Sequence, residues 1–350
     1  MSRSTLFTLF LFLLVASSCR QNEKTPQLTE DLSLFNADSL KTDLAMLASD
    51  SFMGRKPFTE GEKRTIEYLQ SRFKEIGLEP GNGDSYLQAV PMVDILAKAD
   101  PEMKIKGSDK GDFNLKAFDD YVVWTDKTDE NISLENTPIV FAGYGVVAPE
   151  HNWNDYEGLD AKGKIVLVMV NDPGYWAHDT TLFKGDTMTY YGRWTYKFEE
   201  AARQGAKGCL VIHNTRAASY PFSVQQVSFN RSRLQLDNRG KDIKNADMIG
   251  WITEAATNRL FKAAGYDSTL LLKANEKGFK AIPLNLTATT GLKVQSTFNK
   301  SYNVVGKITG SKHPDEVIIY TAHWDHFGIG RPDATGDSIY NGAVDNASGT

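Results

Sequence analysis

The stretch from Lys164 to Val170, Lys-Ile-Val-Leu-Val-Met-Val, has no polar face after its first residue. An alternating strand can leave one side in water. A run that is apolar at every position must be covered on both sides, as in the interior of a parallel sheet. Arg193 to Gln204 then has a helical pattern, Gly205 stops it, and Cys209 to His213 is a second short apolar run. Strand, helix and strand in this order make a βαβ-like unit, so an α/β class is expected. The 350 residues exceed one average domain and allow two domains and a leader. With 41% hydrophobic and 24% charged residues, a sizeable core is available. The net charge of -5 is spread without a basic block, which argues against a nucleic-acid partner.

The N-terminus carries an address. Arg3 is followed by the apolar run Leu6 to Val15, then Ala16-Ser17-Ser18-Cys19. The run is too short to span a bilayer and fits the apolar core of a signal peptide. A cysteine at this position resembles a bacterial lipobox, where cleavage precedes the cysteine and its thiol is acylated. Ala16 and Ser18 depart from the usual Leu and Gly/Ala, so an ordinary secretory signal stays open. The expectation is an exported bacterial lipoprotein, periplasmic or at the cell surface. A signal peptide (1–18) would precede a tether (19–38), and Cys19 would hold the membrane lipid. Two cysteines, Cys19 and Cys209, do not make a disulfide framework.

Further along, Ser39 to Leu44 begins a short helix, with Leu40, Leu44 and Leu47 on one face. Thr59-Glu60-Gly61-Glu62 has the capping-box pattern, and Ile66, Leu69, Phe73 and Ile76 continue as an amphipathic helix that Gly77 stops. Tyr86 to Ile95 reads as a strand, and Thr137 to Gly145 as a strand entering a glycine turn. Near the C-terminus, Tyr302 to Ile308 and Glu316 to Thr321 are expected as two strands around a turn at Gly310-Ser311-Lys312.

The chemistry concentrates at the end of the second of these. The apolar run Val317 to Ala322 delivers His323 at its carboxyl end, where open α/β sheets place ligand sites. Asp325 follows, in position to hold the other ring nitrogen of a metal-binding imidazole. Asn341-Gly342-Ala343-Val344-Asp345-Asn346-Ala347-Ser348-Gly349-Thr350 then frames one carboxylate, Asp345, with small residues. A carboxylate bridging two metal ions needs such a tight backbone path.

His323-Trp324-Asp325 followed by Gly342-Ala343-Val344-Asp345-Asn346-Ala347-Ser348-Gly349 resembles the di-zinc aminopeptidase family (peptidase family M twenty-eight), which includes glutamate carboxypeptidase-like and glutaminyl-cyclase-like members. The resemblance extends to Leu44 to Arg55 and to the helix through Gly77-Leu78-Glu79-Pro80-Gly81-Asn82-Gly83. Phe141-Ala142-Gly143-Tyr144-Gly145, Trp153-Asn154-Asp155-Tyr156, Gly163-Lys164 and Phe198 to Ala206 are similar to the protease-associated domain inserted in many members.

The resemblance implies two zinc ions, with His323 a ligand of one and Asp345 bridging both. It implies that Asp325 orients His323 and that the Asp345–Asn346 peptide is strained or cis. The implied fold is the start of a zinc-exopeptidase α/β/α sandwich with a β-rich inserted domain. The catalytic domain would occupy 39–97 and 286–350, with the insertion at 98–285. The family pattern goes on to a Glu-Glu pair, an acidic ligand and a distal histidine. These do not precede Thr350, so the expectation is a chain cut off inside its catalytic domain, with the general base outside it.

The implied reaction is removal of N-terminal residues from peptides by a metal-bound hydroxide. A non-catalytic binding lipoprotein and a carboxypeptidase or cyclase of the same fold remain the alternatives. Substrate-binding residues and oligomeric state are not read from the sequence.

Blander roles fit the remaining candidates. Cys209 lies in an apolar strand and is expected in the core. His213 is expected to be structural, and His326 to point away from His323 and Asp325. Glu199 and Glu200 are expected on a solvated helix face. Tyr190, Tyr191, Trp194 and Tyr196 are expected either to line a substrate cleft or to pack the inserted domain against the catalytic one.

Overall fold

The structure, a computed structural model, describes residues 35–350 apart from residue 228. The expected signal peptide, Cys19 and most of the tether lie outside the described residues. Among those described, no helix is long and apolar enough to cross a membrane. The chain divides into two compact units, one holding the residues up to Thr65 together with Glu316–Thr350, the other Ile66–Asp315.

The first unit begins with helix α1, Ala37–Leu47. Its start is set by Asn36, whose side chain accepts from the Asp38 and Ser39 amides at 2.9 and 3.1 Å, satisfying otherwise unpaired helix donors. Of the expected apolar face, Leu47 is buried whereas Leu40 is 62% exposed. A 3₁₀ turn, Asp50–Arg55, follows. Helix α2, Glu60–Glu75, then leads into the second unit. At its start the Thr59 hydroxyl accepts from the Gly61 amide and Glu62 accepts from the Phe58 amide, a capping box shifted by one residue from the usual reciprocal pair.

The second unit is built on one sheet. Its strands are β1 Leu87–Ala99, β2 Glu102–Lys106, β3 Phe113–Lys116, β4 Tyr121–Trp124, β5 Asn131–Phe141, β6 Ile165–Met169, β7 Gly208–His213, β8 Ser232–Leu236, β9 Met248–Thr253 and β10 Ile282–Val304. The order is β8-β1-β10-β5-β6-β7-β9-β4, with β2 pairing β10 and β3. β5, β6, β7 and β9 are mutually parallel, and the strands flanking them are antiparallel. Every residue of β6 and β7 is buried, as their apolar runs require.

Helix α3, Trp194–Arg203, lies between β6 and β7 in the chain and completes the βαβ unit. Helix α4, Glu254–Ala263, follows β9 and packs on β7, β9 and β10. β10 alternates instead, burying Leu284, Leu286, Ala288, Leu292 and Val294, the period-two signature of a strand with one covered face.

Two expectations are corrected. Val317 to Tyr320 form no strand and are 75–93% exposed. A strand apolar on both sides needs partners at its edges and layers on its faces, and none of the described strands pairs with this run. Glu200 is buried, bonded to Arg203 and Gln204 at 2.9 and 2.8 Å, while its neighbour Glu199 is half exposed. The helix turns consecutive side chains to different sides, so the pair is split between core and surface. Within the aromatic cluster, Tyr191 and Tyr196 meet edge to face at 5.0 Å and the Tyr196 hydroxyl accepts from the Val147 amide, whereas Tyr190 and Trp194 are 58% and 37% exposed.

Cys209 is fully buried, and burial pushes its thiol pKa up. In a Cys19→Ser protein, thiol reagents at neutral pH are expected to label Cys209 after denaturation and not before. His213 is buried among Tyr220, Phe222 and Trp251, and burial lowers its pKa from 6.5. Its folded value therefore lies below its unfolded one. As pH falls through about 6.5 the unfolded chain takes up a proton that the folded chain resists, and stability declines. Denaturation between pH 8 and pH 5 should show that decline, and His213→Phe should flatten it.

Candidate metal centre

Three sequence-predicted residues converge in the first unit. The His323 Nε2 atom lies 3.1 Å from Asp345 Oδ1. On the other side of the ring, Nδ1 lies 3.3 Å from Asp325 Oδ1 and 3.2 Å from the Asp325 main-chain oxygen. Two oxygens of Asp325 thus face Nδ1 and one of Asp345 faces Nε2; a proton held on Nδ1 by Asp325 would leave the Nε2 lone pair toward the carboxylate. The three side chains are 47–65% exposed, so the group is open to solvent.

The Asp345 loop has the predicted tightness. Gly342 has φ +60° and opens a π-helical turn, Ala343–Ala347, within which the Asp345–Asn346 peptide is cis. A Cβ on Gly342 would stand 2.5 Å from the Asp345 carbonyl oxygen and 2.6 Å from the His326 ring, so no side chain fits there. His326 turns toward this loop and lies against the Phe327 ring. Burial lowers its pKa, and Asp345 raises it.

The residue that sequence reasoning missed is Arg55. Its side chain is fully buried. Nε donates to the Trp324 carbonyl at 2.8 Å, one terminal nitrogen to those of Leu47 and Asn341 at 2.5 Å each, and the other to that of Gly342 at 2.8 Å. Burial lowers the Arg55 pKa, and the charges of Asp325 and then Asp345 raise it. Asn341 adds a second tie, its amide donating to the Ala48 carbonyl and to Asp50 Oδ1, both at 2.8 Å.

An imidazole nitrogen and a carboxylate oxygen facing each other are both acceptors once the nitrogen is unprotonated, and a cation between them resolves the conflict. Their 3.1 Å separation can be bridged by one zinc ion bound at about 2.0–2.2 Å to each. The donors therefore fit part of a zinc site. Among the described residues, no group of three or more His, Cys, Asp or Glu completes one.

Residues 303–350, which include both motifs, match the model of Peptidase family M28. No curated protein matches the chain. Solved structures similar to it include an aminopeptidase from Aneurinibacillus sp. strain AM-1, with 19% identity and a TM-score of 0.42 over 90% of this chain and 56% of that one. Another is BSAP, a zinc aminopeptidase from Bacillus subtilis, with 18% identity and a TM-score of 0.38 over 90% of this chain and 55% of that one. The chain thus spans little more than half the length of these two structures.

Gly54, with φ +65°, passes so close to the neighbouring segment that a Cβ would stand 2.5 Å from the Gly328 carbonyl oxygen and 2.7 Å from that of Tyr340. Gly54→Ala is expected to destabilise the protein by about 1–3 kcal/mol through overpacking and backbone strain, read by denaturant unfolding.

Proposed function

We propose that this chain belongs to a zinc-dependent exopeptidase, acting as an aminopeptidase on peptides. The observation that carries the reading is the convergence of His323 and Asp345 at 3.1 Å, with Asp325 behind the imidazole. His323 would hold zinc through Nε2, Asp345 would give an anionic oxygen and bridge to a second ion, and Asp325 would fix the ring. When bound, zinc supplies a Lewis acid that polarises a carbonyl and acidifies water. The chain's own part is to keep Nε2 free of its proton and to hold the two donors apart at a set distance. The family match over 303–350 supports the same reading. The inserted protease-associated domain at 98–285 and the exported lipoprotein anchored at Cys19 are part of the proposal.

The test is zinc analysis and hydrolysis by the full-length protein. About two zinc ions per chain are expected. Chelation should abolish cleavage of free-amine peptides, and N-blocked peptides should resist cleavage. His323→Ala and Asp345→Asn should lose metal and activity, and Asp325→Asn should cost about 10–100-fold in metal affinity or activity. A full-length protein that binds no zinc and hydrolyses no peptide would instead be a binding lipoprotein.

A further inference from the structure

We infer that Arg55 is a positioning residue of this zinc site, which sets the spacing of His323 and Asp345 by clamping the main chains that carry them. The inference rests on the zinc reading above.

The clamp is specific in what it grips. Trp324, whose carbonyl accepts from Arg55 Nε, stands between His323 and Asp325. Asn341 and Gly342, whose carbonyls accept from the two terminal nitrogens, lead directly into the turn that holds Asp345. Leu47, the last residue of α1, supplies the fourth acceptor and anchors the guanidinium to a helix end. One planar group thus joins the two donor-bearing segments to a helix. A guanidinium presents five N–H donors in a fixed fork, so it can serve diverging carbonyls that a single ammonium cannot.

The approach to Arg55 is itself strained. Met53, Gly54 and Arg55 have φ of 51°, 65° and 50°, three successive left-handed residues, two of them not glycine. Such conformations persist where the surroundings over-determine them, and they gather at functional sites. Here the path runs beneath Gly328 and Tyr340, where Gly54 leaves no room for a Cβ, and it turns the Arg55 side chain inward. A buried arginine that merely filled space could take acceptors from anywhere. This one takes three of its four from the segments that carry the donor pair.

Coupling of this kind is reciprocal: if Arg55 sets the gap that receives the ion, the ion must in turn stabilise the segment around Arg55. The experiment uses the full-length protein, with cobalt(II) as probe because its absorption reports ligand geometry. Arg55→Lys is expected to bind cobalt about 10–100-fold more weakly than the parent and to shift the visible bands of the bound ion, while far-UV circular dichroism stays unchanged. A folded Arg55→Lys protein with the parent's affinity and spectrum would overturn the inference. Amide hydrogen exchange of the unmodified protein supplies the second arm, and it decides the matter if the variant fails to fold. Exchange across 47–56 should slow on metal binding, and unchanged exchange there would overturn the coupling. His323→Ala, titrated in parallel, separates the two claims. If it binds cobalt as the parent does, the zinc reading falls and takes this inference with it. If it loses cobalt while Arg55→Lys does not, the Arg55 inference falls alone.

Discussion

A guanidinium removed from water must have its donors satisfied, because an unpaired buried charge costs far more than a hydrogen bond returns. Arg55 pairs four of its five N–H groups with main-chain carbonyls, at least one on each nitrogen, and the geometry of the first unit follows. The end of α1, the segment from His323 to Asp325 and the loop entering Asp345 all have to bring a carbonyl to one plane. Asn341 repeats the connection from the other side, binding Ala48 and Asp50. The His323–Asp345 pair is thus defined by main-chain contacts behind it, although its side chains stand largely in solvent.

The second unit was the more legible in sequence. The Lys164 to Val170 run after its lysine and the Cys209 to His213 run before its histidine are apolar at every position, and both form buried parallel strands. The helical pattern between them and its glycine stop marked α3 within a residue of its observed limits. The same reasoning failed at Val317 to Ala322. An apolar run states what a strand would need around it, but the partners must come from elsewhere, and none of the described strands supplies them. Glu199 and Glu200 failed for a different reason. A solvated face for both needs them on one side of the helix, whereas the helix places one carboxylate outside and the other against Arg203 and Gln204.

The site was legible where side-chain chemistry announces itself. A histidine, an aspartate two residues on and a carboxylate framed by glycine and alanine were enough to bring His323, Asp325 and Asp345 forward. Arg55 carries no such announcement, because its partners are carbonyls, which every residue possesses and no composition reveals. The weak signal was local: an arginine directly after a glycine, in a stretch rich in apolar residues. The expectation for His326 was incomplete in a related way. Its ring turns toward the Gly342 loop because that glycine leaves the space.

The central claim is that His323 and Asp345 are ligands of zinc. X-ray absorption at the zinc edge of the full-length protein tests it most directly, compared with His323→Ala. The account predicts a first shell of nitrogen and oxygen with imidazole scattering that diminishes in the variant. A sulfur-containing shell, or an imidazole signal that the variant leaves intact, would contradict it.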